Sequence, residues 1–434
     1  MVVDCLNKEI IERIELIKRG RVPKGYKKQF NYTLPSEWKM VKLYDLIDEL
    51  ESGVSVNSKD GIADEKSFGV LKVGCVHQGR FRPYENKVIK EEEISRAKVN
   101  PIKGRVIVNR ANTPELVGNV GYIDKNYPRL FLSDKLWQLS FKIPIEGEWL
   151  ANVLSTRHIK QKLSLLSTGT SNSMRNISKD NFLSIEIALP SVREQKKIIQ
   201  VLQIWDRAIS LKEKLIKEKE SQKYTILNSI VRKNNNTKEW SKVKIGNILE
   251  IRNLKSKIKD ELELYSLTIE DGVTPKSDRY NREFLVKSAD KEYKVTKYKD
   301  IVYNPANLRF GAICLNTIEK DVLLSPIYET LYLKNEDKYD IEFISIILTS
   351  ANQIQRFTTR AEGTLVERMA VKVKDFIDFK INVPNNIEEQ KEIAKIINIA
   401  QKEIELLKQE IIELKKQKQG LMQLLLTGIV RVDQ

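Results

Sequence analysis

The same string of signals runs twice through this chain, in the same order, about 195 residues apart. Glu37 to Ile47 (EWKMVKLYDLI) returns as Glu239 to Leu249 (EWSKVKIGNIL). Gly104 to Asn112 (GRVIVNRAN) returns as Lys299 to Asn307 (KDIVYNPAN), and Leu116 to Asp124 as Arg309 to Thr317. Ser167 to Ser178 (STGTSNSMRNIS) returns more loosely as Ala361 to Lys372. Leu189 to Trp205 (LPSVREQKKIIQVLQIW) returns as Val383 to Ala400, with one residue inserted before the Glu-Gln pair. A period this long is not that of a solenoid. It is that of a duplicated domain, so a fold for one half must serve the other.

Each copy has two parts. The first alternates short apolar runs, such as Val106–Val108, Ile301–Tyr303 and Leu183–Leu189, with Gly, Asn, Asp and Pro turns. Helical patterns cover Glu148–Leu166 and Tyr339–Thr358, so this part reads as α+β. After Pro190 and Pro384 comes a long proline-free stretch of helical period. In the second copy, Ile393, Ile397, Ala400, Ile404, Leu407, Ile411, Leu414, Lys418, Leu421 and Leu425 alternate spacings of four and three. The first copy matches it with Ile198, Leu202, Trp205, Ile209, Lys212, Ile216, Lys219, Lys223, Ile226 and Ile230. Such a ladder is the seam of a coiled coil. Forty helical residues make a rod of roughly 60 Å. The expectation is that the two helices pair antiparallel, holding two similar domains at opposite ends about a pseudo-two-fold axis.

The expected segments are 1–33, an N-terminal segment; 34–190, the first globular domain; 191–233, the central helix; 234–384, the second globular domain; and 385–434, the C-terminal helix.

Composition narrows the chemistry. Lys and Arg number 75 against 59 Asp and Glu, a net charge of +16 that favours a polyanionic partner. Three well-separated cysteines and two histidines, His77 and His158, indicate neither a disulfide framework, a metal cluster nor a histidine-based triad. No apolar run is long enough for a membrane span, and the first residues do not form a secretory signal, so a cytoplasmic protein is expected.

The tetrapeptide Asn304-Pro305-Ala306-Asn307 raises an enzymatic alternative, because Asn-Pro followed by a small residue and an aromatic marks the loop of exocyclic-amine DNA methyltransferases. Its counterpart in the first copy is Asn109-Arg110-Ala111-Asn112. Neither copy has the following aromatic that would stack on a flipped base. Gly118, Gly121 and Gly311 have no helix pattern behind them to form a cofactor loop. The tetrapeptide therefore reads as a turn common to both domains, its two asparagines making either backbone or DNA contacts.

With both EW..VK starts, both Pro…Glu-Gln helix starts (Pro190, Glu194, Gln195; Pro384, Glu389, Gln390) and the glycine-threonine loops between them, the chain resembles the specificity subunit of type I restriction-modification systems from about Leu34 to Val430. The resemblance implies a non-catalytic, DNA-binding protein with two target recognition domains. Each would read one half of a bipartite double-stranded target. The helices would separate the domains and hold two methyltransferase subunits, with a restriction subunit as an optional further partner. Segment 1–33 would be an N-terminal part of the same scaffold, with Ile14 to Gly20 packing near the end of the second helix. It also implies that S-adenosylmethionine, ATP and magnesium belong to those partners and that this chain carries no cofactor. The alternatives are a self-sufficient adenine methyltransferase and a coiled-coil adaptor whose basic domains bind proteins.

Base edges are read by Arg, Lys, Asn and Gln on loops, and phosphates by cations and backbone amides. In the first domain the candidates are His77, Gln78, Arg80 and Arg82; Arg110 and Asn112; and Thr170, Ser171, Asn172 and Arg175. In the second they are Arg279, Tyr280 and Arg282; Asn307 and Arg309; and Thr364 and Arg368.

Overall fold

The computed structural model describes residues 2–30, 32–171, 174–234, 238–258, 262–275, 292–359 and 370–432. The chain divides into two compact units, Met1–Lys212 with Glu410–Gln434, and Glu213–Gln409.

Unit 1 opens with helix α1 (Val2–Lys18), then strand β1 (Lys39–Lys42), the single turn α2 (Leu43–Leu46) and β2 (Ile47–Ser52). A hairpin, β3 (Val76–His77) and β4 (Gly79–Phe81), precedes β5 (Val106–Asn109), β6 (Val120–Tyr122) and β7 (Leu136–Phe141). Helices α3 (Gly147–Leu154), α4 (Arg157–Leu166) and α5 (Lys179–Leu183) follow, then β8 (Glu186–Leu189) and the long α6 (Val192–Asn234). The main sheet has the order β2-β7-β5-β6-β4-β3.

Unit 2 repeats that plan. It contains β9 (Trp240–Lys244), α7 (Ile245–Ile248), β10 (Leu249–Ile251), β11 (Ile301–Tyr303), β12 (Ile313–Leu315) and β13 (Glu329–Leu333). Then come α8 (Ile341–Thr349), α9 (Ala351–Thr358), α10 (Val373–Asp378), β14 (Lys380–Pro384) and the long α11 (Ile387–Leu426); α6 from Glu213 on belongs to unit 2, and α11 from Glu410 on belongs to unit 1. Its sheet order β10-β13-β11-β12 reproduces β2-β7-β5-β6, and all three pairings are antiparallel in both.

The reason for the central strands is plain in their residues. Val106, Ile107 and Val108 are wholly buried, as are Ile301, Val302 and Tyr303. β-Branched and aromatic side chains suit a pleated surface, and a strand covered on both faces is apolar at every position rather than at alternate ones. One expectation is corrected here. Glu148–Leu166 and Tyr339–Thr358 are not single helices; each breaks in two, at Ser155–Thr156 and at Ser350. Thr156 and Ser350 take extended backbone angles, and the Ser350 hydroxyl caps the next helix by accepting from the Gln353 amide.

The start of each long helix is locked to its own unit by the same side chains. The Trp38 indole donates to Glu194 at 2.9 Å, and the Trp240 indole donates to Glu389 at 2.9 Å. Gln195 accepts from the Glu146 amide at 2.9 Å and donates to the Pro190 carbonyl at 3.1 Å. Gln390 accepts from the Asp340 amide at 2.8 Å and donates to the carbonyls of Pro384 at 2.9 Å and Lys338 at 3.1 Å. About two turns further on, Gln203 donates to Glu148 and Asn398 to Glu342. Both locking glutamines are fully buried, where an unpaired amide costs about 1–3 kcal/mol. The Pro…Glu-Gln motif is thus a joint between a strand end, a helix start and the preceding helix.

The long helices also meet within each unit. In unit 1 Lys418 bonds Asp206 at 2.6 Å and Lys212 bonds Glu410 at 2.7 Å. In unit 2 Lys219 pairs with Glu403 at 2.7 Å and Lys408 with Glu220 at 2.8 Å. In unit 1 the partner number falls as the other rises, so these stretches run antiparallel. Ile198, Leu202, Ile209, Ile216, Ile393, Ile397, Ile404 and Ile411 are buried, and Trp205, Leu407 and Leu414 are half-buried. The lysines on the α6 seam reach across to α11 instead of breaking it, Lys212 and Lys219 to the carboxylates of Glu410 and Glu403 and Lys223 to the side-chain amide oxygen of Gln401. The seam departs from the expected ladder at one rung: Ile226 is 40% exposed, while Leu227 and Ile230 pack into the unit 2 core. A 3.6-residue helix drifts from a 3.5-residue repeat, and the inward position moves on by one residue.

The N-terminal segment closes on the chain's other end inside unit 1. Arg13 donates to the Ile429 carbonyl at 2.5 Å and the Tyr26 hydroxyl to the Gly428 carbonyl at 2.6 Å. Gly428 has a φ of +73°, and a Cβ there would meet the Pro35 ring at 2.6 Å, so only glycine fits the turn. Arg431 then pairs with Glu194 at 2.6 Å and Glu37 at 2.7 Å.

Candidate nucleic-acid interface

The two tetrapeptides form one kind of turn. The Asn109 side-chain oxygen accepts from the Ala111 amide at 3.3 Å, and that of Asn304 from the Ala306 amide at 3.1 Å. An asparagine accepting from the amide two residues on is an Asx turn. The position after it carries the other shared bond: Ile177 donates to the Arg110 carbonyl and Val371 to the Pro305 carbonyl, both at 2.9 Å. Arg110 also gives its amide to Lys135, a bond that proline, lacking an N–H, leaves out. The asparagines are occupied in building a turn at the end of the central strand.

Around that turn in unit 1 the fold gathers several candidates. The short strand Ala111–Asn112 joins a three-stranded sheet with Met174–Asn176 and Thr168–Ser171. Asn112 stands opposite Arg175, and Ala111 opposite Asn176. Asn112, Thr170, Ser171 and Arg175 therefore share one small sheet, and Arg110 stands just before its first strand. The Arg110 Nε bonds the Asp134 carbonyl at 2.8 Å, and its guanidinium lies 5.8 Å from the centre of the Trp137 ring. Arg175 donates to the Ser167 carbonyl at 3.2 Å, while its Nε is buried with no hydrogen-bond partner among the described residues. Guanidinium and amide groups on a half-exposed sheet are the donors and acceptors that base edges and phosphates require.

The remaining unit 1 candidates lie at the far edge of the main sheet. His77, Gln78, Arg80 and Arg82 sit on or beside the β3–β4 hairpin, whose tip takes left-handed angles at Gln78 and Gly79. Arg80 ion-pairs with Asp206 of α6, which also holds Lys418. That guanidinium ties the hairpin to the helix. Burial, with Arg82 and Lys160 adding positive charge, holds His77 below its ordinary pKa, so at neutral pH it is an uncharged donor and acceptor. Gln78 is exposed and Arg82 half-buried.

In unit 2 Asn307 is exposed at the head of a short 3-10 turn, Leu308–Phe310, which ends at Gly311 with φ +92°. Arg309 lies 4.5 Å from the centre of the Phe310 ring, and its Nε too is buried with no hydrogen-bond partner among the described residues. Asn172, Arg279, Tyr280, Arg282, Thr364 and Arg368 lie outside the described residues. Sequence reasoning did not anticipate the structural work of Arg80 or Arg431, whose partners are remote in sequence. Among the described residues no helix is long and apolar enough to cross a membrane, and no group of three or more His, Cys, Asp or Glu is placed to hold a metal.

Residues 35–220 match the family model described as the type I restriction modification DNA specificity domain. The EcoEI specificity subunit of a type I restriction enzyme from Escherichia coli is 26% identical over 200 residues, covering 44% of this chain and 34% of that subunit. The chain thus matches only about a third of that relative's length. A putative type I MjaX specificity subunit from Methanocaldococcus jannaschii is 26% identical across 94% of this chain and 97% of its own. Among solved structures, a chain from a study of type I R-M complex assembly and conformational transition covers 92% of this chain and 100% of its own, with a TM-score of 0.60 at 15% identity. The type I S subunit from M. genitalium covers 94% and 98%, with a TM-score of 0.51 at 16% identity. These neighbours share the fold.

Proposed function

We propose, on the premise that this chain is a relative of the type I restriction-modification specificity subunits, that it is the DNA-reading subunit of such a complex and not itself an enzyme. Each unit is a target recognition domain that reads one half of a bipartite target. The observation that carries this reading is a repeated frame with divergent rims. The same lock and strand order recur in both units, while the loops bearing Arg110, Asn112 and Arg175 differ from those bearing Asn307 and Arg309. A frame kept constant under changed polar loops suits two readings of different half-sites.

In this account the paired long helices form a continuous antiparallel coiled coil that spaces the half-sites by about one duplex turn (~34 Å) or a modest multiple. They also dock two methyltransferase subunits, which carry S-adenosylmethionine, and the ATP- and magnesium-dependent restriction subunit joins through that assembly. Exposed apolar residues at matching places on the helices support the docking. Ile204 and Leu211 of α6 are 68% and 55% exposed, and Ile399 and Leu406 of α11 are 60% and 56% exposed. Counted from Gln195 and Gln390, they are the same two positions. Large apolar side chains held in water mark a contact surface, and a duplicated surface fits two copies of one partner. Replacing Ile204 and Leu211 by Asp should remove one methyltransferase copy from the complex by native mass spectrometry. Adding the same change at Ile399 and Leu406 should remove both.

The functional test is the adenine methylome of cells carrying this gene and its partner methyltransferase gene, beside a deletion of this gene alone. One bipartite methyladenine motif should vanish with the deletion. An unchanged methylome contradicts the reading, and methylation of DNA by the purified chain alone would make it an enzyme after all.

A further inference from the structure

The two units share their lock but not the sign of one ion pair. In unit 1 Arg105 bonds Glu51 at 2.5 Å, and Gln138 bonds the same carboxylate at 2.9 Å. In unit 2 Arg252 grips Asp300 through two bonds, at 2.7 and 2.8 Å. The positions are equivalent. Arg105 and Asp300 each precede the central strand, β5 or β11. Val106 stands opposite Leu139 as Ile301 stands opposite Leu331. Leu139 in turn stands opposite Leu50, and Leu331 opposite Ile251, which makes Glu51 and Arg252 the next residues of matching edge strands. Each pair bridges over the strand between them. The cation comes from the central strand's entry in unit 1 and from the edge strand in unit 2. Both pairs are largely shielded, with side-chain exposures of 26% and 25% in unit 1 and 21% and 1% in unit 2.

The polarity matters because the segments leading into these edge strands are close to interchangeable. Trp38 finds Glu194 as Trp240 finds Glu389, at equivalent places in the two helix starts, and β1–β8 and β9–β14 are equivalent antiparallel pairs. The Trp–Glu contact of the lock does not by itself tell one copy from the other, and Glu37, which meets Arg431 in unit 1, has its sequence counterpart in Glu239; tandem copies of one fold are prone to exchanging parts as they fold. Were β2 to dock in the unit 2 sheet, Glu51 would face Asp300. Were β10 to dock in the unit 1 sheet, Arg252 would face Arg105. Either exchange sets like charges together at a site with little access to water, a strong penalty against the wrong pairing.

We infer that the reversed ion pair is a sorting device: it keeps the edge-strand segment of each copy out of the other copy's sheet, so that two interchangeable frames fold in one chain without exchange. The test is refolding of the full chain from urea, with recovered monomer and exchanged dimer measured by light scattering. The double variant Glu51→Arg with Arg105→Asp keeps a complementary pair in unit 1 but gives it the polarity of unit 2, which permits exchange. Monomer yield should fall at least two-fold, with dimer in its place. Adding Arg252→Glu and Asp300→Arg reverses both units and restores the mismatch, so the quadruple variant should recover the parent's yield. A double variant that refolds like the parent overturns the inference. So does a quadruple variant that fails as badly as the double, because the defect would then be local to the reversed pair.

Discussion

Trp38 holds Glu194 in unit 1 as Trp240 holds Glu389 in unit 2, and Gln195 and Gln390 close equivalent joints. Unit 1 adds what is not described for unit 2: Arg431, arriving from the chain's C-terminal end, clamps Glu194 from the other side and reaches Glu37. The polar rims differ in sequence, with Arg110 in unit 1 where unit 2 has Pro305, and Ser167 to Ser178 returning only loosely as Ala361 to Lys372. Unit 1 raises a three-stranded sheet beside its Asx turn, and the described residues beside the equivalent turn of unit 2 form a 3-10 turn, Leu308–Phe310. The contrast separates two kinds of residue. Those repeated between units hold the frame; those that differ are free to answer to something outside it.

The comparison is broken most severely at the joint. Gln390→Ala should destabilise unit 2 by about 3–5 kcal/mol, because it strands a buried amide and two carbonyls at once, and Gln195→Ala should do nearly the same to unit 1. Hydrogen exchange resolved by unit should show each loss confined to the unit that carries the change. Arg431→Ala sharpens the comparison further. It should cost unit 1 about 2 kcal/mol, since Glu194 keeps Trp38 but loses its cation, and should leave exchange in unit 2 unchanged. The smallest effect is expected at the rim: Arg175→Ala should weaken one half-site by about 1–2 kcal/mol in duplex competition and leave the other untouched.

The frame was legible in the sequence because it is periodic and repeated. Order alone matched Glu37–Ile47 to Glu239–Leu249, and the four-three spacing of Ile393 through Leu425 marked the seam. The break between α3 and α4 was not legible, since Ser155 and Thr156 carry no strong stop signal, nor was the slip from Ile226 to Leu227, which a repeat of whole heptads cannot register. The rim was least legible. Arg80 looked as available as Arg175, yet its guanidinium is held by Asp206, a contact 126 residues apart that only the fold reveals. Loop side chains obey no period, so their partners are set by tertiary structure rather than by spacing.

The central claim is that each unit reads its own half of one target. It is tested most directly by replacing the hairpin Thr168–Asn176 with a glycine-serine turn and reading the adenine methylome of cells that also carry the partner methyltransferase. The account predicts that one half of the bipartite motif becomes degenerate while the other half and the spacing between them stay as they were. A motif that is unchanged, or whose two halves blur together, would contradict it.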